Sequence, residues 1–101
     1  MSKQITSGRL EAAKYAVARV AAAIPALPKE WTPRDVDRRI RAADEAWTKL
    51  KMIGAELHSG TTDRMTFAGI VAESSRGRGA CIDLWLARVA RELDARRRAA
   101  A

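Results

Sequence analysis

The sequence predicts an all-α fold: a small bundle of about four helices, the third short, ending in a basic helix. Three observations carry that expectation. Alanine and arginine dominate, both strong helix formers, while the 101 residues include only six glycines and three prolines. Apolar residues recur at +3 and +4 over long stretches. No segment keeps a strand's alternation for more than a few residues. Three long helices with an irregular third segment are the near alternative. The length fits a single domain over residues 1–101, with 1–6 and 99–101 expected to fray. A hydrophobic fraction of 48% with 31% charged residues argues against disorder and supplies a core without disulfide or metal.

Helix one is expected from about Ser7 to Ile24, with Leu10, Ala13, Val17, Val20 and Ile24 forming one apolar stripe. Ser7 is the expected cap, and Pro25 and Pro28 stop the run. Between Tyr15 and Lys29 the one charged residue is Arg19, so the helix is apolar almost all round. Such a helix is central in its bundle or buried in an oligomer interface, here a homodimer through helix one.

Helix two has the clearest start signal, Trp31-Thr32-Pro33-Arg34-Asp35-Val36. Thr32 fits the N-cap, Pro33 the first helical position, and Asp35 the reciprocal carboxylate of a capping box. Trp31 and Val36 stand at the spacing of a hydrophobic staple. The expected core stripe is Val36, Ile40, Ala43, Trp47, Leu50, Ile53 or Gly54, and Leu57, ending at His58-Ser59-Gly60. Asp35–Arg39, Asp37–Arg41 and Glu45–Lys49 are acid-to-base pairs at i,i+4, expected to neutralise the outer face.

A shorter third helix is expected from Thr62 to about Ser74, carrying Met65, Phe67, Ile70 and Val71, with Thr61 or Thr62 as its cap. Ser74-Ser75-Arg76-Gly77-Arg78-Gly79 breaks it. Helix four then turns Ile82, Leu86, Val89 and Leu93 inward, with Trp85 at the stripe's edge and Glu92–Arg96 and Asp94–Arg98 paired outside.

The charge is asymmetric. From Arg76 onward seven arginines face Asp83, Glu92 and Asp94, a net of +4 out of the chain's formal +7. With a pI near 10.5, this points to an anionic partner: nucleic acid, a nucleoprotein, or an acidic protein surface. Arg76-Gly77-Arg78-Gly79, flexible backbone at a helix start with two guanidiniums, suits contact with an anion. The competing reading is a connector whose arginines pair with Glu73, Asp83 or solvent. The spacing is not that of a phosphate loop with a terminal Gly-Lys-Ser/Thr.

A helix-turn-helix built from helices three and four needs a loop longer than usual, and its base-reading positions are Ala80, Cys81, Asp83 and Leu84, which are poor donors. Sequence-independent phosphate contact by Arg76, Arg78, Arg88, Arg91, Arg96, Arg97 and Arg98 is the expectation instead. The rival is a protein-binding adaptor or inhibitor using Trp31, Trp85 or Tyr15 as anchors. Small helical proteins of mobile genetic elements that block a host defence complex, inhibitors of CRISPR effectors included, look like this in size and lack of motifs.

No enzymatic constellation survives inspection. Cys81 lies near a helix start beside arginines, which lowers a thiol pKa, but the one histidine, His58, ends another helix. A small core residue is the better reading of Cys81. Asp35, Asp37, Asp44 and Glu45 each have a basic residue at helical spacing, which removes general-acid character. One His and one Cys leave no structural zinc set, and no cofactor is expected. Arg19 and Pro25 interrupt the least polar run, Tyr15–Leu27, so no membrane span is expected. The single cysteine fits a reducing, cytoplasmic setting.

Overall fold

The computed structural model describes residues 5–100. The chain runs α1 (Ser7–Ala21), α2 (Pro33–Met52), β1 (Glu56–Ser59), β2 (Asp63–Phe67), β3 (Ile70–Ser74) and α3 (Arg78–Ala100). The fold is therefore α+β, with three helices and one three-stranded antiparallel sheet in the order β1-β2-β3. The expected all-α helical bundle is overturned.

The correction lies in residues 54–74. Thr62–Ser74, expected as a third helix, is the β2–β3 hairpin. Its register pairs Met65 with Ala72 and Phe67 with Ile70. Leu57 pairs with Met65 in the neighbouring strand. Leu57, Met65, Phe67, Ile70 and Ala72 thus share one face of the sheet, and that face packs on α3. Glu56, His58, Arg64, Thr66, Val71 and Glu73 take the opposite face. Each strand is only four or five residues long, so the alternation is too brief to outweigh a +3/+4 coincidence among Met65, Phe67, Ile70 and Val71. The turn adds to the disguise. Ala68 (φ 51°) and Gly69 (φ 75°) form a two-residue hairpin loop with both residues left-handed, a task usually marked by Asn-Gly.

Helix α2 stops at Met52, not beyond Leu57, because Gly54 (φ 106°) ends it. The Gly54 amide donates to the Lys51 carbonyl and the Ala55 amide to the Leu50 carbonyl, the paired bonds of a Schellman motif. His58 accordingly lies on β1, and Gly60 lies in the β1–β2 loop, where its amide donates to the Thr62 carbonyl. At the other end the expected capping box is present. The Asp35 amide donates to Thr32 Oγ1, and the Thr32 amide donates to the Asp35 carboxylate at 2.8 Å.

Helix α1 buries Leu10, Ala13 and Val17 as expected, with Val20 and Ile24 partly covered, but it ends at Ala21 and its cap is Thr6, not Ser7. Thr6 Oγ1 accepts from the Arg9 amide, so the cap falls one residue earlier than expected. Ile5 packs against the core. The remaining positions of the expected frayed ends, 1–4 and 101, lie outside the described residues.

Helix α3 is the hub, packing against α1, α2, β2 and β3. Cys81, Ile82, Trp85 and Val89 are fully buried along its inner face. Trp85, expected at the stripe's edge and considered as an interface anchor, is wholly inside. Its Nε1–H is shared between the carbonyls of Ile70 (3.1 Å) and Phe67 (3.3 Å), which flank the hairpin turn. A buried indole needs such an acceptor, and here one donor serves the closed end of the sheet.

Candidate anion-contact site

The structure divides the seven C-terminal arginines into those used internally and those left free. Arg78 is used internally. Its guanidinium lies 3.1 Å from the Asp44 carboxylate, donates to Ser59 Oγ at 3.4 Å, and sits 5.6 Å from the centre of the Trp47 ring. It thereby joins the start of α3 to α2 and β1. Its partner is Asp44, not the Glu73 or Asp83 that the sequence suggested. Arg96 is also internal: it bonds Glu92 at 3.0 Å, the Ile5 carbonyl at 2.6 Å and Ser7 Oγ at 3.2 Å. Arg97 bridges to Glu11 at 3.3 Å and Asp94 at 3.7 Å, both across exposed side chains. Arg88 donates to the Val71 carbonyl at 2.7 Å, covering part of an edge strand.

Three remain. Arg76, Arg91 and Arg98 are exposed, and their guanidinium groups make no hydrogen bond or ion pair among the described residues. Arg91 and Arg98 lie two turns apart on α3, close to one line along the helix, with exposed Ala95 between them. Asp94 is the one carboxylate within helical reach of either, and it is turned to Arg97. The expected Asp94–Arg98 pair is absent for that reason, whereas Glu92–Arg96 forms. Arg88 continues the same side of α3 one turn earlier. The result is a basic stripe at positions 88, 91 and 98, with its outer end unpaired.

The expected pairs on α2 do not form either. Asp35 is engaged at the cap, and Arg39 instead donates to the Pro25 carbonyl at 3.0 Å and approaches Asp83 at 4.0 Å. Nor do Asp37–Arg41 or Glu45–Lys49 come within ion-pair distance. Packing on α1, α3 and β1 covers only the part of α2 from Ala43 onward. Val36 is consequently half-buried and Ile40 is 53% exposed, although both were expected in the core. Leu27 is also exposed. Between this half of α2 and the first turn of α3 runs an open groove of about 600 Å³, lined by Leu27, Val36, Ile40 and Ala43 and by the Arg76–Ala80 segment. The sequence signal for it is the short side chain of Ala43 with Gly79 opposite, which leaves room where a bulkier pair would close the gap. A Cβ added to Gly79 would stand 3.7 Å from that of Ala43.

Of the aromatic candidates, Trp31 is 57% exposed and Tyr15 66% exposed, the latter with the Arg19 guanidinium 5.9 Å from its ring centre. Both remain available as contact residues, whereas Trp85 does not. The helix-turn-helix alternative disappears with the third helix.

Cys81 is buried, and its thiol donates weakly toward the Asp63 and Ala72 carbonyls, each at 3.4 Å. Burial, reinforced by the Asp63 carboxylate, raises its pKa to about 11, the opposite of what an activated thiol needs. His58 sits on the exposed sheet face, paired in register with Arg64. Among the described residues no group of three or more His, Cys, Asp or Glu is placed to hold a metal ion, and no helix is long and apolar enough to cross a membrane. Comparison of the chain with protein-family models, curated proteins and solved structures finds no match.

Proposed function

We propose that this chain is a non-enzymatic binding protein that contacts nucleic acid, or the nucleic acid of a nucleoprotein complex, through the basic stripe of α3. The observation that supports this reading most directly is that Arg91 and Arg98 stand unpaired on one side of a rigid helix, beside Arg88. Their axial separation is roughly 10 Å, seven residues along the helix. Side chains of this kind grip the backbone and do not read bases. Arg76, at the opposite end of α3, would make a separate contact. Arg78, Arg96 and Arg97 contribute positive potential while holding the fold together.

The test is binding to short duplex and single-stranded DNA and RNA across a salt series. Phosphate contact predicts a log–log slope near −0.9 per contact on duplex DNA. Arg91→Ala with Arg98→Ala should make that slope shallower by about two units. Absence of binding at low salt would sink this reading.

A second reading, a protein-binding inhibitor or adaptor, draws support from the exposure of Trp31, a residue type enriched among interface anchors. In that case the basic surface meets an acidic protein face, and Trp31→Ala weakens capture of the partner without lowering stability.

A further inference from the structure

We infer that the groove between the N-terminal half of α2 and the start of α3 docks a short amphipathic segment of an acidic protein, with apolar side chains inward and carboxylates toward the arginines. This rests on the protein-binding reading and is independent of the basic stripe of α3.

The floor supports the apolar half of this inference. Leu27 is 40% and Ile40 53% exposed, and both line the groove together with the apolar Val36 and Ala43 of α2. The four residues come from the connector and from one side of α2, since 36, 40 and 43 are spaced +4 and +3. Val36 and Ile40 extend the apolar stripe of α2 one turn beyond the buried Ala43, and the rest of the chain leaves that turn only partly covered. Apolar side chains seated there would be withdrawn from water on both partners.

The charges select the occupant. Arg76 lines the groove and is exposed; its backbone amide donates to Ser74 Oγ, and its guanidinium has no partner among the described residues. Arg39 lines it as well and is held only by a backbone carbonyl and a 4.0 Å approach to Asp83. No described group accepts a hydrogen bond from the amides of Arg78, Gly79 or Ala80, which open α3 on the groove wall and carry the positive end of its dipole. Two carboxylates are also present: Asp44 is neutralised by Arg78, while Asp63 has no ion-pair partner. The balance is positive, in a protein of formal charge +7. A second copy is the less suitable occupant, because a two-fold contact through this groove would set two patches of the same positive sign against each other.

The probe is a synthetic helical peptide of roughly four turns, with leucines at i, i+3, i+4 and i+7 and glutamates elsewhere. It is titrated into the isotope-labelled full chain while backbone amide shifts are followed. The expected result is a set of shifts confined to Leu27, Val36, Ile40 and the Gly77–Ala80 turn. Ile40→Glu and Arg76→Glu should each weaken binding by roughly tenfold or more. Both residues are exposed, so the variants keep the parent spectrum elsewhere. The Arg91→Ala/Arg98→Ala variant, which disables the proposed phosphate contact, should bind the peptide unchanged. Equal binding of a peptide with lysines in place of glutamates, shifts centred elsewhere, or no shifts at millimolar peptide would each overturn the inference. So would light scattering that shows a dimer broken by Ile40→Glu, because the groove would then be occupied by a second copy. Loss of the protein-binding reading as a whole is distinguished by Trp31→Ala: partner capture that depends on Trp31 but not on Ile40 keeps that reading and removes this groove.

Discussion

The guanidinium of Arg78 lies 3.1 Å from the carboxylate of Asp44, so the first residue of α3 is tied to the middle of α2. The same group faces the Trp47 ring and reaches Ser59. One of the two arginines that made the glycine-arginine segment look like an anion site is therefore a fastener between three elements. The other, Arg76, is free.

Arg78→Ala should cost stability more than binding. A partly exposed ion pair contributes about 0.2–1 kcal/mol, and the cation–π contact about 0.5–1 kcal/mol. A loss of about 1–2 kcal/mol in urea unfolding is expected, with Arg76→Ala near zero. Equal effects of the two substitutions would contradict the division between them.

Trp85→Phe separates the indole's hydrogen bond from its bulk. The substitution leaves the Phe67 and Ile70 carbonyls without their shared side-chain donor. The expected loss is about 1–3 kcal/mol. Trp85→Ala removes the packing too and should cost about 3–5 kcal/mol. Amide exchange in β2 and β3 should quicken more than in α1 when only the hydrogen bond is lost.

Two turns should respond in opposite directions. Ala68 holds φ 51°, a region that Asn tolerates better than Ala, so Ala68→Asn should raise the melting temperature. Gly54 holds φ 106° in the motif that ends α2. Gly54→Ala should destabilise by about 1 kcal/mol or more. Thermal melts of the two variants beside the parent check both.

Cys81 should resist thiol reagents in the folded protein and react promptly in denaturant. Its pKa is raised from 9.0 to about 11 by burial, so the folded state holds its proton more tightly than the unfolded state. The corresponding stability is intact below pH 9 and falls as pH rises through 11. Cys81→Ala should flatten that alkaline decline. An unchanged decline would assign it to other groups.

Much of the helical frame was legible. Thr32, Pro33 and Asp35 announced the start of α2, and Leu10, Ala13 and Val17 marked the inner face of α1, because caps and +3/+4 stripes are local signals. The sheet was not, for an equally local reason. Of these short strands β1 turns one apolar side chain inward and β2 and β3 two each, and Ala68 stands where the hairpin turn usually has Asn, Asp or Gly. The position that deserved more weight was Gly54, a left-handed stop after Lys49 and Lys51 in the last helical turn. Charge was legible only as a sum. Which arginines stayed free depended on partners far away in the chain, Asp44 for Arg78 and Ile5 for Arg96.

Helix α3 follows in the chain every element that it organises. As synthesis advances, Leu10 and Val17 of α1 and Met65 and Ala72 of the sheet all emerge ahead of Ile82, Trp85, Val89 and Leu93, the side chains that cover them. A nascent chain lacking α3 is thus an open hydrophobic surface with a short hairpin, a species prone to association. The contacts that α3 makes with α1, β2 and β3 cannot form until its own residues have been made. Shortening the chain to a point before Leu93 would not trim one helix from a finished domain; it would withhold the surface on which the domain assembles.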